Sequence, residues 1–188
     1  MKKIFTIILL FSIYIGAQAT IHLKFMGIDI DGNYKDFKIN LENKGFIYES
    51  SYKSLHKFYG IFANEAVQLQ VLASPITNIV CKVIVSFPAK NNWKELKADY
   101  FKKKNMYNSK YTIDRDFEFF GSPYDEGDGY EMRAVQNEKC FYKSFFLAIG
   151  GNICVEVSKD NCINVTYEDR ENIKIAQKEL EEKALEDI

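Results

Sequence analysis

The 188-residue chain sets 25 Lys and Arg against 26 Asp and Glu, for a formal net charge of -1, and is 47% hydrophobic. That length suits one domain, or two small halves sharing a core. The charge balance lacks the excess of base that nucleic-acid or anionic-membrane binding draws on, so it excludes partners of those kinds. Aromatic residues make up 15% of the chain, with 15 Phe, 12 Tyr and one Trp. Rings and β-branched residues fit a pleated, half-buried surface, so the first reading of this enrichment is a sheet-rich core and the second a ring-lined ligand surface.

In chain order, Met1-Lys2-Lys3 is a short basic start, and Ile4 to Gly16 is an apolar run. That run falls well short of the ~20 residues a membrane span needs. Ala17-Gln18-Ala19 supplies a small-x-small cleavage site. Residues 1–19 therefore read as a cleaved signal peptide, and the mature chain as an exported protein, periplasmic or secreted. No Cys follows the cut, which argues against a lipoprotein.

Ile21 to Met26 alternates apolar and polar and predicts a first strand, broken by Gly27. Ile28 to Asn33 predicts a turn, and Asp31 or Asn33 a cap for a helix over 34–44 with Phe37 and Leu41 on one face and Gly45 as its stop. Phe46 to Ser51 predicts a strand. Three more strands follow between Lys57 and Val85, with turns at Asn64-Glu65 and Ser74-Pro75-Ile76-Thr77. Past Pro88, Asn91 or Asn92 caps a second helix whose stripe is Trp93, Leu96, Tyr100 and Phe101. Lys102, Lys103 and Lys104 read as a solvated, dipole-favoured end rather than an anion site.

Tyr111 to Phe120 predicts a strand, and Gly121 to Gly129 a loop of Gly, Pro and acidic residues. Tyr130 to Val135 and Lys139 to Ile149 predict a hairpin around Asn137-Glu138, and Gly150-Gly151 a tight turn needing positive φ. Strands over 153–158 and 162–167 follow. A charged helix runs from Arg170 to Ile188, with Ile173, Ala176 or Gln177, Leu180, Ala184 and Ile188 as a thin apolar stripe.

One pattern occurs twice: an aromatic-rich strand, an alternating strand and a β-branched strand, first over 57–85 and again over 145–167. The expected fold class is α+β, with tandem helix-plus-antiparallel-meander repeats over 20–88 and 89–169 and a C-terminal helix over 170–188. Helices would pack on one face of the sheet and leave the other partly open to a partner.

The stretch Leu23-Lys24-Phe25-Met26-Gly27-Ile28-Asp29-Ile30-Asp31-Gly32, followed by Phe37, Leu41 and Lys44-Gly45-Phe46, resembles a family of short exported bacterial proteins of unknown function. Those read Phe-x-Gly-Ile-Pro-Ile-Asp-Gly here, and Asp29 stands where the Pro sits, which implies a looser turn. The resemblance continues through the Trp93 helix to Tyr167-Glu168-Asp169 and implies no chemistry. In topology the expected repeats are similar to the secreted β-lactamase inhibitor proteins, which implies a fold and no target.

The residues offer little catalytic chemistry. The two His, His22 and His56, stand in no zinc-ligand spacing, and no nucleophile elbow or phosphate-cradling loop appears. The loop Asp125-Glu126-Gly127-Asp128-Gly129 and the turn Asp29-x-Asp31-Gly32-Asn33 gather oxygens as calcium would require, but neither completes a calcium-binding loop, and both read as acidic turns. Asp125 and Asp128 would be the acid/base pair of a carboxylate-dependent hydrolase of envelope or glycan material. Export permits disulfides. Alternation sends Cys154 and Cys162 to the same face of neighbouring strands, so they are the expected pair, while Cys81 reads as a core thiol. No catalytic, cofactor-binding or metal-ligating residue is assigned. The expected function is a non-enzymatic binding or structural domain for a protein, peptide or glycan. Its candidate surfaces are the open sheet face and the loop residues Tyr124, Asp125, Glu126, Asp128 and Tyr130. A third reading has the C-terminal helix mediating self-association.

Overall fold

The computed structural model describes residues 20–185. The expected signal peptide (1–19) and the last residues of the expected C-terminal helix lie outside them. The fold is α+β. A hairpin of β1 (Lys24–Phe25) and β2 (Ile28–Asp29) leads into α1 (Tyr34–Asn43) and then β3 (Ile47–Tyr52), β4 (Leu55–Phe62), β5 (Glu65–Ala73) and β6 (Val80–Ser86). Next come α2 (Trp93–Asn108), β7 (Thr112–Phe120), the short α3 (Glu131–Gln136), β8 (Cys140–Ala148), β9 (Gly151–Val157), β10 (Ile163–Asp169) and α4 (Asn172–Leu185).

Strands β3 to β10 form one antiparallel sheet in the order β3-β4-β5-β6-β10-β9-β8-β7. Read inward from either edge, the strands follow in chain order and meet at the β6–β10 pair. That central pair runs from Asn164 opposite Ser86 to Glu168 opposite Lys82 without a break in register. Each outermost pair carries an irregularity, at Tyr48/Ser50 between β3 and β4 and at Ile113/Arg115 between β7 and β8.

Local chemistry explains the elements. Asn33 caps α1, its Oδ1 accepting from Lys35 N at 2.9 Å, and Gly45 at φ +88 lets the chain leave the helix. Asn92 caps α2 by accepting from Glu95 N at 2.9 Å. Trp93, Leu96, Tyr100, Lys103 and Tyr107 recur at spacings of three and four, and all are buried. Ala63 and Asn64 both sit at positive φ, as a two-residue hairpin turn demands. The core joins Phe37 and Leu41 of α1 and Leu96 and Tyr100 of α2 to alternate residues of the sheet, among them Phe58, Leu69, Val83, Val165 and Val155.

Two expectations about elements are corrected. Tyr130 to Val135 does not form a strand: Glu131–Gln136 is helix α3. Glu, Met, Arg, Ala and Gln are strong helix formers, Ala134 and Val135 bury together on its inner side, and Glu138 at φ +57 then turns the chain into β8. The first strand shrinks to Lys24–Phe25 and pairs only with Ile28–Asp29, because Met26 and Gly27 at positive φ fold it back at once.

The segment before β1 is laid over the β8–β9 turn. A Cβ on Gly150 would lie 2.4 Å from the His22 carbonyl carbon and 2.5 Å from Leu23 N. Asp169, fully buried, fastens this segment by accepting from Leu23 N (2.8 Å) and His22 Nδ1 (3.2 Å), and it caps α4 by accepting from Asn172 N (3.0 Å). Asn172 in turn donates to Ile30 O and Asp31 Oδ1, both at 2.9 Å. Among the described residues no helix is long and apolar enough to cross a membrane.

Candidate functional site

Residues directly opposite one another in a sheet share a face, so the register traces one row across all eight strands. It runs Ile47, Tyr59, Gln68, Ser86, Asn164, Glu156, Lys143, Phe117. A second row runs Gln70, Ile84, Thr166, Cys154, Phe145, Arg115. The row two residues further in the opposite sense adds Ile61 opposite Ala66 and Phe119 opposite Phe141. This face is the reverse of the one carrying Phe58, Leu69, Val85, Val165 and Val155.

Its composition is graded. Ile47, Tyr59 and Ile61 at one end and Phe117, Phe119 and Phe141 at the other are exposed large apolar side chains. The rings at the second end are ordered against each other, Phe119 stacking on Phe141 with centroids 4.9 Å apart and Phe117 meeting Phe145 edge-on at 6.4 Å. Between the two ends lie the amides and hydroxyls of Gln68, Gln70, Ser86, Asn164 and Thr166. Four charges on the face pair with each other, Lys143 with Glu156 at 2.5 Å and Lys82 with Glu168 at 2.7 Å, while Arg115 pairs with its neighbour Asp114 at 3.2 Å and Lys57, opposite Gln70, makes no ion pair among the described residues. A hollow of about 860 Å³ opens on the first half of the face, lined by Ile47, Tyr59, Ile61, Gln68, Ser86 and Asn164.

The acidic loop is a strut. Glu126 reaches back to α2 and β8, pairing with Lys97 and accepting from Tyr142 OH (2.9 Å) and Trp93 Nε1 (3.4 Å). The Lys97 bond, helped by Tyr142, holds its carboxyl below the usual range. Asp128 accepts from Asp125 N (3.0 Å) and Tyr130 N (2.7 Å), and Tyr124 OH accepts from Asn137 Nδ2 (2.7 Å). The carboxylates of Glu126 and Asp128 are thus spent on holding the loop. Tyr130 remains exposed. Among the described residues, no cluster of three or more His, Cys, Asp and Glu side chains is arranged to hold a metal ion.

The expected Cys154–Cys162 bond is absent: all four cysteines are free thiols. Both do face the same way, but register separates them. Cys154 lies opposite Thr166, and Ile163 opposite Val157, so Cys162 sits four positions along. At ~3.3 Å per residue that is ~13 Å, against a Cα separation of ~4.4–6.8 Å in a disulfide. Burial pushes the Cys154 and Cys140 thiols up to about 12 and Cys81 to about 11. None is poised as a nucleophile.

Of the three lysines of α2 only Lys102 stays solvated, its side chain 70% exposed; the helix continues to Asn108, and each lysine reaches a carboxylate of another element. Lys103 is 1% exposed, bonded to Glu65 at 2.5 Å with Asp99 at 3.5 Å, its ammonium 3.9 Å above the Phe87 ring. Lys102 also reaches Glu65, at 3.1 Å, and Lys104 bridges Asp116 and Glu118 of β7. Beneath this, Tyr100 OH and Ser144 Oγ bond at 2.6 Å and Ser144 donates to Asp116 at 2.8 Å. Lys103, Glu65, Tyr100, Ser144 and Asp116 thereby join α2 to the sheet, while Asp99 Oδ2 is buried without a hydrogen-bond partner, 3.5 Å from Lys90 Nζ. His56 stacks on Tyr34 at 3.4 Å, and neither ring nitrogen has a partner. Burial, with Lys38 nearby, lowers its pKa. Comparison with protein-family models, curated proteins and solved structures finds no match to the chain.

Proposed function

We propose that this chain is an exported, non-enzymatic binding domain that docks a protein partner on the sheet face bearing Tyr59, Gln68, Asn164 and Phe117. In this reading the meanders over 20–88 and 89–169 are tandem copies, and α1 and α2 cover one face to leave the other open. The strand order converging on β6–β10 from both edges supports the duplication. The observation that carries the function is the graded row itself. Two exposed apolar ends flank a polar centre in which Lys143 with Glu156 and Lys82 with Glu168 neutralise each other. Protein interfaces draw their energy from aromatic anchors seated among polar contacts, which is the chemistry this row offers. The alternative, a carboxylate-dependent hydrolase using Asp125 and Asp128, is weakened by Asp128, whose carboxylate is occupied as an internal acceptor from Asp125 N and Tyr130 N.

The test uses the mature chain from Thr20 in quantitative capture from envelope extract, beside a face variant (Tyr59→Ser, Phe117→Ser, Phe119→Ser) and a control altered at the exposed Tyr130. A partner held by wild type and control and lost by the face variant supports the reading. Capture indifferent to the face substitutions, or no protein captured at all, overturns it.

A further inference from the structure

Helix α4 carries an apolar stripe at Ile173, Ala176, Leu180 and Ala184, and only the start of this stripe is buried. Ala176 is 6% exposed, whereas Leu180 is 58% exposed. The helix is fixed at its start by Asn172 and at its middle by Glu179, which accepts from Ile76 N at 2.7 Å and Thr77 N at 3.1 Å. The stripe therefore does not close onto the sheet. It forms one wall of a groove of about 980 Å³ whose other side is supplied by Tyr52, Leu55, Leu72, Pro75 and Ile76. That volume lies within the ~300–1,000 Å³ of small-molecule sites.

Among the described residues the groove's lining is basic. Lys53, Lys82 and Lys183 line it, and no Asp or Glu does so among the described residues. Lys82 has its partner in Glu168, while Lys53 makes no ion pair among the described residues and lies 5.5 Å from the Tyr52 ring. In a chain of net charge -1, an apolar trough rimmed by lysines, of which only Lys82 has a carboxylate partner in Glu168 among the described residues, sets a specific demand. The occupant must have an apolar body and an anionic head. From Ile173 to Ala184 the wall is about 16 Å long by helical rise, a length that an extended acyl tail spans.

We propose that this groove binds a free fatty acid, its tail along the α4 stripe against Leu55 and Leu72 and its carboxylate among the lysines. The site is separate from the aromatic ends of the sheet face, and its success or failure does not depend on the protein-docking reading. The experiment is titration of the full mature chain with dodecanoate and with dodecanol, read by displacement of a fluorescent fatty-acid probe. Wild type should bind dodecanoate at least tenfold tighter than dodecanol. Lys53→Glu with Lys183→Glu should weaken dodecanoate at least tenfold and leave dodecanol unchanged, whereas Leu180→Asp should weaken both. The altered side chains are exposed, and an unchanged urea midpoint would show each variant folded. Absence of binding, equal affinity for acid and alcohol, or indifference to Leu180→Asp overturns the proposal. So does sedimentation showing the stripe buried between two copies, with Leu180→Asp giving monomers.

Discussion

The Glu65–Lys103 pair gives the sharpest test of how α2 is held. Lys103 is 1% and Glu65 23% exposed, and loss of the carboxylate would leave a buried ammonium with Asp99 at 3.5 Å and the Phe87 ring at 3.9 Å. Breaking a buried pair from one side costs about 3–5 kcal/mol. The residual Asp99 and the partial exposure of Glu65 place Glu65→Ala at the lower end, about 3 kcal/mol, or roughly 6–12 °C in Tm for a domain of this size. The double variant Glu65→Ala, Lys103→Met should recover about 2 kcal/mol or more, since an apolar side chain of similar reach removes the unpaired charge. Urea unfolding at pH 7 measures both. The Lys103 hydrogen bond also holds the Glu65 carboxyl below its usual range. The pair's stabilisation should therefore be full above the unfolded value of about 4.3 and fade as pH falls through the lowered folded value. A single-variant loss under about 1 kcal/mol, or a double variant no better than the single, would refute the reasoning.

Three further outcomes are expected. His56, its pKa lowered by burial and Lys38, stays neutral in the fold while the unfolded chain takes a proton near pH ~6.5. Wild-type stability should thus drop as pH falls below that value, and His56→Phe should flatten that part of the unfolding free-energy profile; parallel profiles would count against it. Gly150→Ala puts a Cβ within 2.5 Å of Leu23 N at φ +84, so it should cost at least ~2 kcal/mol in melting experiments and speed amide exchange over residues 21–25. The four thiols should resist alkylation at pH 7.5 in the folded protein and all react after unfolding without reductant. Fewer than four would reveal a disulfide.

Much of this fold is legible in the sequence because its signals are local. Asn33 and Asn92 announce helices, Phe37 with Leu41 and Trp93 with Leu96 set their inner faces, and strict alternation in Val67 to Val71 and Ile153 to Val157 marks strands. The errors arise where the deciding fact is non-local. Alternation assigns Cys154 and Cys162 to one face but says nothing about the offset fixed by the Ser158–Cys162 turn. The acidic loop shows its carboxylates but not that Trp93, Lys97 and Tyr142 wait to consume them. Lys103 reads as a surface cation until the β4–β5 turn brings Glu65 over it. At Tyr130–Val135 a local signal existed, the run of helix formers, and the flanking Tyr and Val obscured it. Of the sheet-face rows, each strand's polar side is readable. Which side chains line up across eight strands depends on register, which one strand alone does not encode.

The irregular steps at Tyr48/Ser50 and Ile113/Arg115 have a bearing on solubility. A sheet with two free margins, each beside exposed Ile or Phe, invites lateral fusion with its neighbours into fibrils. An extra residue in each marginal strand bends it and interrupts the run of free amide and carbonyl groups that an incoming strand would need. Charged Glu49 near one rim and Asp114, Arg115 and Asp116 along the other add a solvation barrier. The molecule can therefore carry greasy rims in solution because both of its borders are spoiled as templates.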